Sequence, residues 1–472
     1  MKMLPILLLL SILLSGRLSA QPHRLIALTD VEADPDDAQT LIRLLLYTNE
    51  IDLEALIATT STHQRTRVAP QTIRHIIRAY GQVRPNLLLH DPGYPTEEML
   101  SERVTQGLPV YGMEGVGEGK DSEGSERIIQ ILSAADERPV YVSVWGGPNT
   151  LAQALWKIRR TRSPEEVARM LDKLRIYAIS DQDDSGSWIR REFQGLFYIV
   201  SPGGYFGATW MGINQPVRGI DNTVISNRWL QENIQQGHGP LGALYPDVAY
   251  GMEGDTPSWL SLVTNGLNNP EHPDWGGWGG RYELYRPTDI PEGFTGGVPV
   301  EAETRPIWTN AEDTYTPRIP SEFGRAMRKD TLTFTGNQVS LWRWRDDFQH
   351  DFAARMDWCV QPYGKANHPP IPMLTHPDTL TVRAGEHFRL DAGGSYDPDG
   401  DSLGYWWFHY PEAGTFPGQI DFSPLSENLY NVHTIQAPVV ERPESAHFIL
   451  RVSDKGSPPL ARYKRVIVNI LP

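Results

Sequence analysis

Leu25-Ile26-Ala27-Leu28-Thr29-Asp30-Val31-Glu32-Ala33-Asp34-Pro35-Asp36-Asp37-Ala38 is the stretch whose reading decides the fold. Leu25 to Leu28 form an uninterrupted apolar run, the pattern of a strand buried on both faces. Beyond the acids, Ala38, Leu41, Ile42 and Leu45 fall on one face of a helix. Between strand and helix, Asp30, Glu32, Asp34, Asp36 and Asp37 place five carboxylates within eight positions. A helix N-terminus favours one or two acids. Five repel one another and call for a cation. Hard oxygen donors of this kind suit Ca²⁺, and the lack of nearby His or Cys argues against zinc.

Strand-then-helix continues outward. Leu53 to Ala58 reads as a second strand, and Pro70 suits the first turn of a helix carrying Ile73, Ile76 and Ile77. Val140 to Trp145 and Leu174 to Ile179 repeat the strand pattern, with a capping box at Ser163 and Glu166 between them. This alternation predicts an α/β fold, a mostly parallel sheet flanked by helices, with ligands at the carboxyl ends of its strands. Gly266 to Pro320 is rich in Gly, Pro and Trp without a period and reads as long loops packed on this domain. Val339 to Trp358 reads as a helical return, and Asn367-His368-Pro369-Pro370 as a hinge. Period-two runs come next, at Leu380 and Val382, Phe388 and Leu390, Tyr405 to Tyr410, Phe448 to Val452 and Val466 to Ile470. They predict an immunoglobulin-like β-sandwich over residues 370–472 that folds as its own unit. The larger domain spans 21–366.

Of the 472 residues, 40% are hydrophobic and 21% charged, which excludes a disordered polymer. A formal charge of −15 leaves no basic surplus for a phosphate backbone, so no nucleic-acid partner is expected. Residues 1–20 read as a signal peptide: Lys2, the apolar run Leu4 to Leu14, and small residues up to Ala20. Secreted or periplasmic localisation is therefore expected, with no membrane partner, since no other stretch is long enough to span a bilayer. The single cysteine, Cys359, can form no internal disulfide.

The acidic stretch resembles the Asp-x-Asp-x-x-x-Asp-Asp motif that opens nucleoside hydrolases. Asp30, Glu32, Asp36 and Asp37 fit its spacing, with glutamate for the second aspartate. Trp145-Gly146-Gly147-Pro148-Asn149-Thr150 is similar to the strand-end turn that lends a carbonyl to the family's metal, and Glu253-Gly254-Asp255-Thr256 to the later segment that lends an aspartate. Phrases such as Ser180-Asp181-Gln182-Asp183-Asp184-Ser185-Gly186 and Gly277-Trp278-Gly279-Gly280 narrow the resemblance. They are similar to a group of secreted bacterial proteins, named for a cellulose-binding member, that join a nucleoside-hydrolase-like domain to a β-sandwich. The resemblance implies one Ca²⁺ held by Asp30, Asp37, Asp255 and the Gly146 carbonyl, with Asp36 orienting them. It also implies a carboxylate base that deprotonates the attacking water. In the ungapped register that base is Glu32, and a two-residue shift makes it Asp30 or Asp34. Asp30 is preferred because it ends the strand.

Substrate contacts are expected from His63 after the second strand, from Asn149 and Glu253, and from Asp183 and Asp184 after a later strand. Trp275 and Trp278, set among glycines, suit stacking on a sugar ring. The expected function is a secreted, calcium-dependent glycoside hydrolase acting on poly- or oligosaccharide. A non-catalytic cellulose- or polysaccharide-binding protein and a periplasmic nucleoside hydrolase are the alternatives.

Overall fold

The computed structural model describes residues 21–320, 327–329, 332–422 and 430–472. The expected signal peptide lies outside the described residues. An eight-stranded sheet organises the larger domain. Its strands are β1 (His23–Thr29), β2 (Ile51–Ala58), β3 (Val104–Gln106), β4 (Val140–Val144), β5 (Leu174–Ala178), β6 (Phe197–Ile199), β7 (Tyr282–Tyr285) and β8 (Ile307–Asn310), in the order β3-β2-β1-β4-β5-β6-β8-β7. All neighbours are parallel except β7, which runs antiparallel to β8 at the edge. The strand order reverses at β1, so the crevice between the carboxyl ends of β1 and β4 is the place for a ligand.

Helices α1 (Asp36–Leu45), α2 (Pro70–His90), α3 (Glu123–Ser133), α4 (Asn149–Thr161), α5 (Pro164–Asp172), α6 (Ser185–Glu192) and α7 (Arg345–Trp358) cover both faces. Leu25 and Ala27 belong to the apolar layer shared with α1, α2 and α7, whereas Ile26 and Leu28 belong to the layer shared with α3 and α4. Each apolar residue of β1 therefore fills one core or the other. Ser163 caps α5 reciprocally with Glu166, and Pro70 opens α2, as expected. No helix among the described residues is long and apolar enough to cross a membrane.

The segment read as loops departs from expectation, because it contains β7 and β8, which extend the large sheet. β7 is four residues long and exposed over its last three, so no alternation marks it.

Beyond the Asn367-His368-Pro369-Pro370 link come β9 (Thr379–Arg383), β10 (His387–Asp391), β11 (Gly404–His409), β12 (Val432–Gln436), β13 (Glu444–Ser453) and β14 (Ala461–Leu471). One sheet runs β9-β14-β13-β11 and packs on the pair β10-β12, forming a β-sandwich-like region. Phe388, Leu390, Trp407, Phe448, Leu450 and Val468 are in its core. Part of the outward face of the larger sheet is covered, although Thr379, Thr381 and Arg383 of β9 stay exposed. Phe408, Tyr410, Ile449 and Tyr463 join the core of the larger domain alongside Trp278, Trp344 and Phe348. Ion pairs cross the same seam, Arg451 to Asp347 at 2.5 Å and Arg462 to Asp351 at 2.6 Å. The sandwich has its own strands and its own core cluster, and it also shares buried apolar residues with its neighbour. At the link itself, His368 lies between Nδ1 of His90, 2.8 Å away, and the carboxylate of Asp399.

Candidate functional site

Thr29 ends β1 and fixes the direction of the acidic turn beyond it. Its hydroxyl donates to Oδ1 of Asp37 and accepts the Val31 N–H, so the first helical turn is fastened to the strand end. Asp30 to Ala33 close a turn through Ala33 N–H to Asp30 O at 2.9 Å. Glu32 sits at its third position with φ +83°, a conformation costing a non-glycine residue about 1 kcal/mol or more. That turn points Glu32 outward to Arg67, 2.5 Å away, and to the Thr72 hydroxyl. Asp34 comes back toward the helix start, where its Oδ1 accepts the Asp36 N–H at 2.9 Å. Single oxygens of Asp34, Asp36 and Asp37 lie within 4.8 Å of one another.

β4 and the 253–256 turn supply the opposite walls. Trp145 N–H bonds to Leu28 O at 2.8 Å, which aligns the two strand ends. A Cβ on Gly146 would lie 2.6 Å from Oδ1 of Asp30, so only glycine permits this approach. Gly254 is equally constrained, by Oδ2 of Asp36 at 2.7 Å and the ring of Trp210. Next to it, Asp255 is buried, and its Oδ2 has no hydrogen-bond partner.

Electrostatically the cluster is one-sided. Burial pushes Asp30 up to about 6, with Asp34 adding to the rise against a Ser61 hydrogen bond. Burial, and then the neighbouring carboxylates, push Asp36, Asp37 and Asp255 well above the usual carboxylate range. Among the described residues no Lys, Arg or His lies within 4 Å of any of these five carboxylates. Protons or a metal must supply the missing positive charge. All donors are oxygen, and Asp255, with an orphaned buried oxygen, feels the charges of Asp36, Asp37, Asp34 and Asp30, so the residues fit a hard divalent cation such as Ca²⁺.

The remaining expected residues divide. Glu253 is fully buried with φ +51° and is engaged by Arg43 at 2.6 Å and by the Tyr245 hydroxyl at 2.7 Å. It anchors the turn that carries Asp255 and has no group left for a substrate. Asn149 is likewise consumed: its amide donates to Thr60 Oγ1 and Val110 O and accepts from Thr59. Asp183 is buried beside Gly147; its Oδ1 accepts from Ser185, its Oδ2 has no partner, and burial pushes it up to about 7. Asp184 is exposed and accepts the Met113 N–H. His63 is exposed at the rim of the crevice, edge-on to Tyr205.

The two tryptophans lie elsewhere. Trp278 is fully buried against Phe348 and Tyr463, and Trp275 stacks on His272 with its edge on His447 of the sandwich. Both belong to the seam between the domains, which excludes them from a sugar platform. Sequence reading missed the aromatic groups near the carboxylates, Tyr205 and Trp210, and Phe294 packed edge-on to Tyr205. The available signal was Tyr205-Phe206 set among glycines in Gly203-Gly204-Tyr205-Phe206-Gly207.

Comparison with known proteins shows the family. The family model described as cellulose-binding Sde182, nucleoside hydrolase-like domain, matches residues 24–282, and that described as cellulose-binding protein Sde0182, C-terminal domain, matches residues 387–470. The chain belongs to the cellulose-binding Sde182 family. Among solved structures, this Sde182-family chain is similar to a nucleoside hydrolase-related hypothetical protein from Saccharophagus degradans, described as associated with carbohydrate metabolism. The two are 35% identical over 95% of this chain and 100% of the other, with a TM-score of 0.78. No curated protein matches the Sde182-family chain.

Proposed function

We propose that the Sde182-family chain is a secreted or periplasmic, Ca²⁺-dependent hydrolase of glycosidic bonds in a carbohydrate. The observation that carries this reading is the packing of Asp30, Asp34, Asp36, Asp37 and Asp255 around the end of β1 with no basic side chain within 4 Å among the described residues. A module that only binds sugar has no need to bury like charges at this cost.

Asp34, Asp36, Asp37, Asp255 and the Gly146 carbonyl would hold the cation, with Asp30 completing the shell on the strand side. Such a cation, when bound, acidifies water and orients sugar hydroxyls. Asp30 would take the proton of the attacking water; Ser61 donates to it, and Gln64 Nε2 holds its backbone carbonyl at 3.3 Å. The water oxygen bonds to the anomeric carbon, the glycosidic bond breaks, and the leaving oxygen takes its proton from solvent water. Glu32, tied to Arg67 on the outer surface, takes no part.

A second reading, binding without turnover, draws its support from the family's description as cellulose-binding. Sugar release from a panel of glycans and nucleosides, with Ca²⁺ and with chelator, separates the two. Turnover that needs Ca²⁺ and disappears in Asp30→Asn supports the hydrolase. Wild-type protein that binds a glycan and releases nothing from it overturns the hydrolase in favour of the binding protein.

A further inference from the structure

Three loops meet beside the carboxylates, and hydrogen bonds lock them together. Gly204 N–H bonds to Pro291 O at 3.0 Å, Tyr205 N–H to Phe294 O at 2.9 Å, and the Thr62 hydroxyl to Gly296 O at 2.6 Å. The frame presents three rings: Tyr205 edge-on to Phe294 with centroids 5.4 Å apart, and His63 at 6.1 Å from Tyr205 and 6.3 Å from Phe294. On its inner side Tyr205 meets Trp210 at 6.0 Å. Trp210 is fixed by its indole N–H to Ser180 and abuts Gly254, the residue wedged against Asp36. An aromatic ledge thus starts at the carboxylates and ends in solvent, where Phe294 is 58% exposed.

Such a ledge selects its occupant by chemistry. Sugar rings offer C–H faces to aromatic rings while their hydroxyls stay in water or bond to groups such as the Tyr205 hydroxyl and His63. A nucleobase would need an enclosing slot with hydrogen-bond partners along its edge, whereas this surface is open on its outer side. The adjacent carboxylates disfavour uronates, phosphates and other anions. We propose that Tyr205, Phe294 and His63 form the subsite for a second, neutral sugar ring, next to the ring held over the carboxylates. This rests on the glycan reading of the site. It makes the substrate a neutral glycan of two or more rings.

Calorimetric binding of glucose, cellobiose, cellotetraose and inosine to the full-length protein tests this, with Phe294→Ala, Tyr205→Ala and Phe294→Trp beside wild type. Cellobiose should bind more tightly than glucose, and Phe294→Ala, an exposed truncation that leaves the fold intact, should weaken it roughly tenfold. Phe294→Trp should restore binding. Equal affinity for glucose and cellobiose, unchanged affinity in both ledge variants, or inosine binding with the same Phe294 dependence would each overturn the subsite, as would no binding of any of these sugars. The readout is binding, so wild type that binds cellobiose through Phe294 without cleaving it defeats the hydrolase and leaves the ledge standing.

Discussion

Nη1 of Arg465 lies 3.1 Å from Nδ1 of His447, beneath the β-sandwich. A guanidinium can only donate, so that imidazole nitrogen accepts and His447 is neutral. Burial, followed by the charge of Arg465, brings the histidine from 6.5 down to about 3, and His409 and His272 push the same way.

Acid should therefore loosen the seam. An unfolded chain protonates His447 near 6.5 and the folded chain only near 3, so the unfolded state holds more protons between those values. Stability falls as pH is lowered through that window, by at most about 1.4 kcal/mol per pH unit from this site. Melting temperatures of wild type and His447→Gln from about pH 7 to about pH 4 check it. The variant should lose part of the acid sensitivity; identical slopes would refute the role of His447.

The carboxylate cluster has the opposite sign. In metal-free protein, Asp30 titrates near 6 and Asp36, Asp37 and Asp255 well above 3.8, so the folded state holds the extra protons. Their contribution to stability falls as pH rises above about 4. Binding Ca²⁺ must expel those protons, so its stabilisation should be larger near pH 7 than near pH 5. Thermal shifts with Ca²⁺ and chelator at both pH values check this; a pH-independent shift, or full occupancy by zinc in metal analysis, would sink it.

Two carboxylates should separate by rescue. Asp255→Asn keeps the shape of a ligand and removes its charge, so Ca²⁺ affinity and turnover should fall together, by roughly 10- to 100-fold, and excess Ca²⁺ should recover part of the rate. Asp30→Asn should lower turnover by about 100-fold or more at any Ca²⁺ level. Glu32→Gln, out on the surface with Arg67, should stay within about twofold of wild type. Rate loss in Glu32→Gln equal to that in Asp30→Asn would return the base to Glu32.

Asp347→Ala should be costly although it lies far from the crevice. Arg451 contacts both oxygens of Asp347, and Tyr463 donates to one of them. Truncation leaves a half-buried guanidinium and the Tyr463 hydroxyl without this partner, at about 1–3 kcal/mol. Denaturant unfolding of wild type should show a single transition for both domains, shifted as a whole in the variant. Two transitions, with only one moved, would show that the shared core does not couple them.

How much of the molecule is legible in the sequence depends on range. β1, β2, α1 and the acids between them are written in local periodicity, and the reversal of strand order at β1 then places Asp30 against Gly146. The direction of Glu32 was hidden, because a type II-like turn at a non-glycine residue breaks the ungapped register and gives Asp34 the inward place. β7 and β8 were hidden because an edge strand with an exposed face carries no alternation. Trp275 and Trp278 were misread since composition records that an aromatic residue is present, not which surface covers it. The ledge of Tyr205, Phe294 and His63 combines three distant segments, and no window of sequence contains it.

The shared core also bears on how such a chain can be rearranged. The two matched stretches, 24–282 and 387–470, leave an interval between them. That interval supplies Asp313 to Tyr410, Asp347 to Arg451 and Asp351 to Arg462. A recombination event that copied only the C-terminal stretch onto another protein would carry the plug and leave the socket behind. The heritable piece is therefore longer than either recognisable stretch, and grafts cut at those borders should inherit an aromatic, positively charged face with nothing to seal it.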